Sequence, residues 1–283
     1  MIDPARLSEY LARFPSQLAK LGADGAVEYL EAGSSDSTVS HVMLHGIGSS
    51  AASWVAQLDA AEQLSSKSHA RALAWNAPGY GQSSALSDPQ PLAHHYAARF
   101  WDWIDAMHID KPFMLVGQSM GCLIAAAAAA MRPALVGRLV LFAPARGYGR
   151  ASEEERIRRR DERLSALREL GPEGLAQKRG AAMLSSSAPT PMIDYVRDIM
   201  RRVHPGGYAQ ATHMLAQGDI DADLAKWRGP LVVASGSADT ITPAAGCRGI
   251  AERAGTTWTD LGAVGHGCPL EASSAVNSIL GLE

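Results

Sequence analysis

The sequence predicts an α/β protein: a mostly parallel sheet flanked by helices, with an all-helical insertion. Three observations predict it. Short apolar runs alternate with longer helical patterns, and the runs are near-continuous instead of alternating with polar residues. The alternation also lapses once, between about residues 149 and 225, where no convincing strand occurs. A strand with one wet face alternates apolar and polar residues, whereas a strand covered on both faces is apolar throughout. Strand and helix in repeated succession then build a parallel sheet between two helical layers.

The strands are H-V-M-L-H-G (41–46), A-L-A-W-N (72–76), F-M-L-V-G (113–117), L-V-L-F-A (139–143) and L-V-V-A-S-G (231–236), with a further one at 256–261. Each of the first five ends in a small or turn-forming residue. Helical patterns fall at 52–64, 91–107, 120–132, 243–254 and 271–280. The alanine run at 125–130 suits a helix lying close to a sheet, because alanine has the best helix propensity and a small surface. The insertion consists of helical stretches interrupted by G-P, S-S-S-A-P-T-P and H-P-G-G. Within it, 152–170 is highly charged, with Glu154 and Glu155 four residues ahead of Arg158 and Arg159. That spacing puts opposite charges on one helical face. The interleaved acids cancel the basic run 156–160, which reads as a solvated helix and not as a nucleic-acid contact. The expected division is a core of residues 1–147 and 226–283 with a helical cap at 148–225.

Composition narrows the function. Of 283 residues, 47% are hydrophobic and 19% charged, enough for a sizeable core and unlike an intrinsically disordered chain. A net charge of −3 provides no broad field to attract nucleic acid or an anionic membrane. The three cysteines, Cys122, Cys247 and Cys268, cannot form a disulfide framework and include no C-x-x-C pair to suggest zinc. The opening segment carries Asp3 and Glu9 and lacks the apolar stretch of a secretory signal. The longest apolar run, near 125–130, is too short to span a bilayer. The expectation is a soluble, cytoplasmic protein without metal or organic cofactor.

The strongest chemical signal is G-Q-S-M-G at 117–121, between an apolar strand and a helix. G-x-S-x-G in that setting marks a serine on a sharp strand-to-helix turn, with small residues two before and two after it. Such a turn lifts the Ser119 hydroxyl above the sheet edge and places a helix start beneath a developing oxyanion. A serine hydroxyl needs a base, oriented in turn by a third group. In the order Ser, acid, His, the candidates are Asp239 in G-S-A-D-T-I-T-P and His266 in V-G-H-G-C-P. Asp239 as a helix cap and His266 as an ordinary loop histidine are the competing readings. Gly265 and Gly267 suggest a backbone bent tightly around a positioned side chain. His41, His45, His69, His94, His95, His108, His204 and His213 fit the required order or a strand-end loop less well. At 44–48, L-H-G-I-G can aim the Ile47 N–H toward the space above Ser119, opposite the Met120 N–H. By itself that motif reads equally as a plain loop. The Pro-Gly turn in W-N-A-P-G-Y-G-Q-S (75–83) reads as turn chemistry.

Together L-H-G-I-G, N-A-P-G-Y-G-Q-S, G-Q-S-M-G, G-S-A-D-T-I-T-P and G-H-G-C-P-L-E resemble the α/β-hydrolase superfamily in its capped form, over nearly the whole chain. The resemblance implies an eight-stranded, mostly parallel sheet with a helical cap after the sixth strand. It implies Ser119 as nucleophile, Asp239 as acid, His266 as base, and the Ile47 and Met120 amides as oxyanion donors. Two positions depart from the pattern. Relatives usually carry Asp where this chain has Asn76, a change expected to matter for structure more than for catalysis. Hydrolases of carbon–carbon bonds in ring-cleavage products tend to carry a small residue at the position of Ile47, which favours ester or lactone substrates here. The implied function is a serine hydrolase of a small ester or lactone. Its rivals are a dienoate-cleaving carbon–carbon hydrolase, an acyltransferase or perhydrolase, and a receptor built on a hydrolase scaffold. Two further expectations concern single residues. Met183, Met192, Met200 and Met214 offer a soft apolar roof, core packing being the competing role for each. Cys268, close to His266, reads first as a buried packing residue, and the sharper alternative is a thiol reachable from the cleft.

Overall fold

A computed structural model of the chain describes residues 2–68 and 70–283; His69, one of the histidines set aside above, lies outside them, as does Met1. Among the described residues eight strands form one sheet: β1 (Gln17–Lys20), β2 (Ala26–Ala32), β3 (His41–Leu44), β4 (Ala72–Trp75), β5 (Phe113–Gln118), β6 (Val136–Phe142), β7 (Leu231–Ser235) and β8 (Trp258–Asp260). Their spatial order is β1-β2-β4-β3-β5-β6-β7-β8. The β1–β2 and β2–β4 pairings are antiparallel and all the others parallel.

The helices are α1 (Leu7–Leu11), α2 (Val55–Ser68), α3 (Ala93–Ala106), α4 (Met120–Met131), α5 (Glu153–Arg179), α6 (Thr190–Met200), α7 (Pro205–Gln217), α8 (Ile220–Leu224), α9 (Ala244–Arg253), α10 (Cys268–Glu271) and α11 (Ser273–Leu280). The continuous apolar runs are explained by two cores, one on each face of the sheet. Val42, Leu44, Leu73, Trp75, Leu115, Leu139 and Leu141 pack with α3, α4 and α9. Their sequence neighbours Met43, Ala72, Ala74, Val116, Val140 and Phe142 pack on the other face with α2 and α11. Side chains alternate across a strand, so a strand buried on both faces must be apolar at every position. Helix α4 is itself enclosed, with Ala125, Ala126, Ala128 and Ala129 wholly buried, as the alanine run predicts.

The hairpin β1–β2 does not stand out as an apolar run because charged residues interrupt it. Glu31 pairs with Arg71 at 2.6 Å. Glu28 is buried and accepts hydrogen bonds from Asn76 Nδ2 (2.7 Å) and from the Gln82 backbone N–H (2.8 Å). Burial pushes the Glu28 carboxyl up, but these donors outweigh it and hold it below the usual carboxylate range. Asn76 also accepts from the Ala51 N–H at 2.8 Å. Asparagine at the usual aspartate position is therefore the partner that a buried glutamate requires. In Asn76→Asp two carboxylates would meet, and one would have to stay protonated. Its pKa would rise above the unfolded value, so the lost stability should grow with rising pH above ~4. We expect a cost of about 2–4 kcal/mol at pH 8 and less at pH 5, read from denaturant midpoints.

Between β6 and β7 the described chain is helical, α5 through α8. Helix α5 breaks at Gly171 (φ 60°) ahead of Pro172, the G-P interruption of the sequence. Of the two expected i,i+4 pairs, Glu155–Arg159 forms at 2.7 Å, whereas Arg158 bonds Glu155 and Glu162, both at 2.6 Å, instead of Glu154. These pairs are exposed and add little stability.

Candidate active site

Ser119 sits between β5 and α4 with φ 53° and ψ −115°, a conformation rare for a residue with a side chain. Its flanking glycines are steric necessities. A Cβ on Gly117 would lie 2.7 Å from Cys122 N and Cα, and one on Gly121 would collide with the Leu44 carbonyl oxygen. The strain is held by hydrogen bonds, from Ser119 N–H to the Phe142 carbonyl at 3.0 Å and from Ala145 N–H to the Ser119 carbonyl at 3.2 Å. Gln118, also buried, donates from Nε2 to the His266 carbonyl at 3.0 Å, tying the elbow to the histidine loop.

Asp239 follows β7 and His266 follows β8, and both are buried. His266 Nδ1 lies 2.8 Å from Asp239 Oδ2. A carboxylate there places the histidine proton on Nδ1 and leaves Nε2 as an acceptor. Burial pushes the Asp239 carboxyl up, but its bonds to His266 and Thr242 outweigh that and hold it ionised. Asp239 does not cap α9, whose N-cap is Pro243 with no side-chain bond. It accepts instead from the Ile241 (2.8 Å) and Thr242 (2.9 Å) N–H groups. Sequence reasoning missed Thr242. Its hydroxyl lies 2.8 Å from Asp239 Oδ2, 3.1 Å from His266 Nδ1 and 3.1 Å from the Ala143 carbonyl. The D-x-x-T spacing, a local turn that bonds its own backbone, was the available signal.

The loop after β3 is pinned by His45. Its Nδ1 donates to the Gly46 carbonyl at 2.8 Å, and its Nε2 accepts from the Ala77 N–H at 3.0 Å. A Cβ on Gly46 would lie 3.0 Å from Ser119 Cβ, so this loop abuts the elbow. Neither the Ile47 nor the Met120 N–H donates to a protein acceptor among the described residues. Burial lowers the His45 pKa to about 4. The unfolded chain binds this proton below ~6.5 while the folded chain does not, so stability must fall as pH drops across that window. We expect a loss of about 2–3 kcal/mol between pH 7 and 4.5 from His45. His41, likewise lowered by burial, acts in the same direction. A His45→Gln variant should show a flatter dependence of its denaturant midpoint on pH.

The glycines beside His266 serve a different purpose from the one expected. Neither has a positive φ. A Cβ on Gly265 would lie 2.6 Å from Ser185 N, and one on Gly267 would lie 2.7 Å from Leu184 Cδ2. They admit residues 183–185 of the stretch between β6 and β7, which also accept the Gly267 N–H at the Met183 carbonyl, 2.7 Å away. Glu271 joins the two segments, accepting from the Gly265 N–H (2.8 Å), the Ser185 N–H (3.0 Å) and the Ser185 hydroxyl. Cys268 is not reachable from the cleft: it is wholly buried in α10, and burial pushes its thiol pKa well up. The cysteine at the cavity is Cys247.

Ser119 and His266 share one cavity of about 240 Å³, without a hydrogen bond between their side chains. Ile47, Met183, Met200, Tyr208, Leu215 and Ile241 supply much of its apolar wall. Of the four methionines expected as a roof, Met192 and Met214 are instead buried in cores. Among the described residues no group of three His, Cys, Asp or Glu side chains is placed to hold a metal, and no helix is long and apolar enough to cross a membrane.

The sequence model of the alpha/beta hydrolase fold family matches residues 42–269, most of the chain. The chain belongs to that family. This α/β-hydrolase, an enzyme by its family, is similar in structure to an enol-lactonase from Burkholderia xenovorans LB400 (TM-score 0.79, 21% identity, covering 95% of this chain and 99% of that one). An esterase from Exiguobacterium antarcticum gives TM-score 0.81 at 18% identity, over 94% and 98% of the two chains. A bromoperoxidase from Bacillus anthracis gives TM-score 0.81 at 16% identity, over 95% and 99%. At these identities the likeness is one of fold, and it spans three different chemistries.

Proposed function

We propose that this α/β-hydrolase is a serine hydrolase that cleaves a carboxylic ester or lactone of a small metabolite. The observation that carries the reading is Ser119, held in a strained turn, facing the same cavity as a histidine oriented by a buried carboxylate. His266 Nε2 takes the Ser119 proton as Oγ attacks the carbonyl carbon. The carbonyl oxygen becomes an anion and accepts from the Ile47 and Met120 N–H groups. Collapse breaks the bond to the alkoxide, which leaves with the proton from His266. Water, deprotonated by His266, then releases the acyl group as a carboxylate and restores Ser119. Asp239 holds the proton on Nδ1 and stabilises the imidazolium as it forms.

Residues 148–225 act in this reading as a cap that closes the cavity over Ser119, clamped to the histidine loop through Glu271. The buried, unpaired thiols suit a reducing, cytoplasmic setting. The wall at Ile47 favours esters and lactones over dienoate ring-fission products. Purified protein offered 4-nitrophenyl esters, lactones and dienoates should turn over members of the first two groups. Turnover confined to dienoates would replace the reading with carbon–carbon hydrolysis, and acyl transfer to added acceptors in preference to water would replace it with acyltransferase chemistry.

A further inference from the structure

The cavity beside Ser119 has a charge pattern that ester cleavage does not require. Arg146, Arg163 and Arg179 all line it, and among the described residues no aspartate or glutamate does. Arg146 is already engaged, with its Nε 3.1 Å from Asp221 Oδ2. The other two are not. Arg179 reaches only the Tyr208 hydroxyl, at 3.5 Å, and Arg163 has neither hydrogen bond nor ion pair among the described residues. Acids are not scarce nearby: on the same helix Arg158, Arg159 and Arg160 all have carboxylate partners. Arg163 and Arg179 are half-buried, among Leu175, Met183 and Leu215.

The helix break is what brings them to one cavity. In an unbroken helix the sixteen residues from 163 to 179 would set them about 24 Å apart along the axis, more than a cavity of this size spans. Gly171, at φ 60° before Pro172, divides α5 into two segments, each of which contributes one arginine to the lining. A half-buried guanidinium without a counter-ion gains most from an anion that restores charge-assisted hydrogen bonds. The flat fork of donors matches the two oxygens of a carboxylate. A phosphate dianion, more strongly hydrated, is worse suited to the apolar wall around them.

We propose that Arg163 and Arg179 form a carboxylate subsite, so that the substrate is an ester or lactone carrying a free carboxylate apart from the scissile group. The proposal rests on the ester-hydrolase reading above.

The test compares matched ester pairs at low salt. In one pair the charge is on the acyl side, 4-nitrophenyl hydrogen glutarate against 4-nitrophenyl hexanoate. In the other it is on the leaving group, 4-acetoxybenzoate against its methyl ester. In at least one pair wild type should favour the charged member in kcat/KM by roughly 10-fold or more. The charged-to-neutral ratio should fall by roughly 10-fold in each of Arg163→Gln and Arg179→Gln, chiefly through KM. No preference in either pair, or a preference that survives both substitutions, overturns the subsite. Loss of the neutral ester's turnover in Ser119→Ala bears only on the hydrolase reading, so the two can fail separately. If wild type turns over no ester, calorimetry decides: monomethyl glutarate should bind Ser119→Ala and bind at least 10-fold more weakly once Arg163→Gln is added. Equal binding, or tighter binding of inorganic phosphate, overturns the proposal.

Discussion

Ser119→Ala is expected to lower kcat on any ester substrate by roughly 10⁶-fold, leaving only what binding and the oxyanion donors provide without a nucleophile. Stability should hardly change. Among the described residues the Ser119 side chain makes no hydrogen bond to lose, and the backbone bonds that hold the turn, from Ser119 N–H to Phe142 and from Ala145 N–H to Ser119, do not involve it. Steady-state rates together with a denaturant titration check both halves. A folded variant with near wild-type turnover would remove Ser119 from the chemistry.

The second large effect is at the acid. Asp239→Asn keeps an oxygen for the Ile241 and Thr242 N–H groups, so the loop should hold its shape. What changes is the atom facing His266 Nδ1, 2.8 Å away. An amide NH₂ there makes Nδ1 the acceptor and moves the histidine proton to Nε2, where the base must be free. A fall in kcat of ~10³–10⁴-fold follows. Asp260, a carboxylate between Asp239 and His266 in the sequence, lies in β8, is exposed and accepts from the Gly262 N–H at 2.9 Å. Asp260→Asn should therefore leave kcat within about 2-fold of wild type, since surface changes away from such features are nearly neutral. A larger loss from Asp260→Asn than from Asp239→Asn would reassign the acid.

Much of this arrangement was legible in the residues because local rules acted alone. Parallel strands covered on both faces leave continuous apolar runs, and a serine turn between strand and helix leaves two glycines at fixed spacing. Where a residue's reason lay far away in the chain, the sequence was mute. Glu28 looks like a polar break in a strand until Asn76 is seen beside it, forty-eight positions on. Gly265 and Gly267 suggest a bend, but the cause is the approach of residues 183–185, about eighty positions earlier in the chain. Cys268 looks accessible from its nearness to His266, yet α10 turns it into the core. That Arg163 and Arg179 lack a carboxylate partner among the described residues becomes visible only when the break at Gly171 brings both to one cavity.

The central claim is that Ser119 is the residue that becomes acylated, and active-site labelling tests it most directly. Wild-type protein is treated with a fluorophosphonate, and the adduct is located by peptide mass spectrometry. The expected result is one adduct per chain, on the peptide containing Ser119, with activity lost in step and no adduct on the Ser119→Ala or Asp239→Asn variants at the same exposure. Complete inactivation with the label on Ser185, Ser187 or any residue other than Ser119, or full activity with Ser119 labelled, would contradict the account.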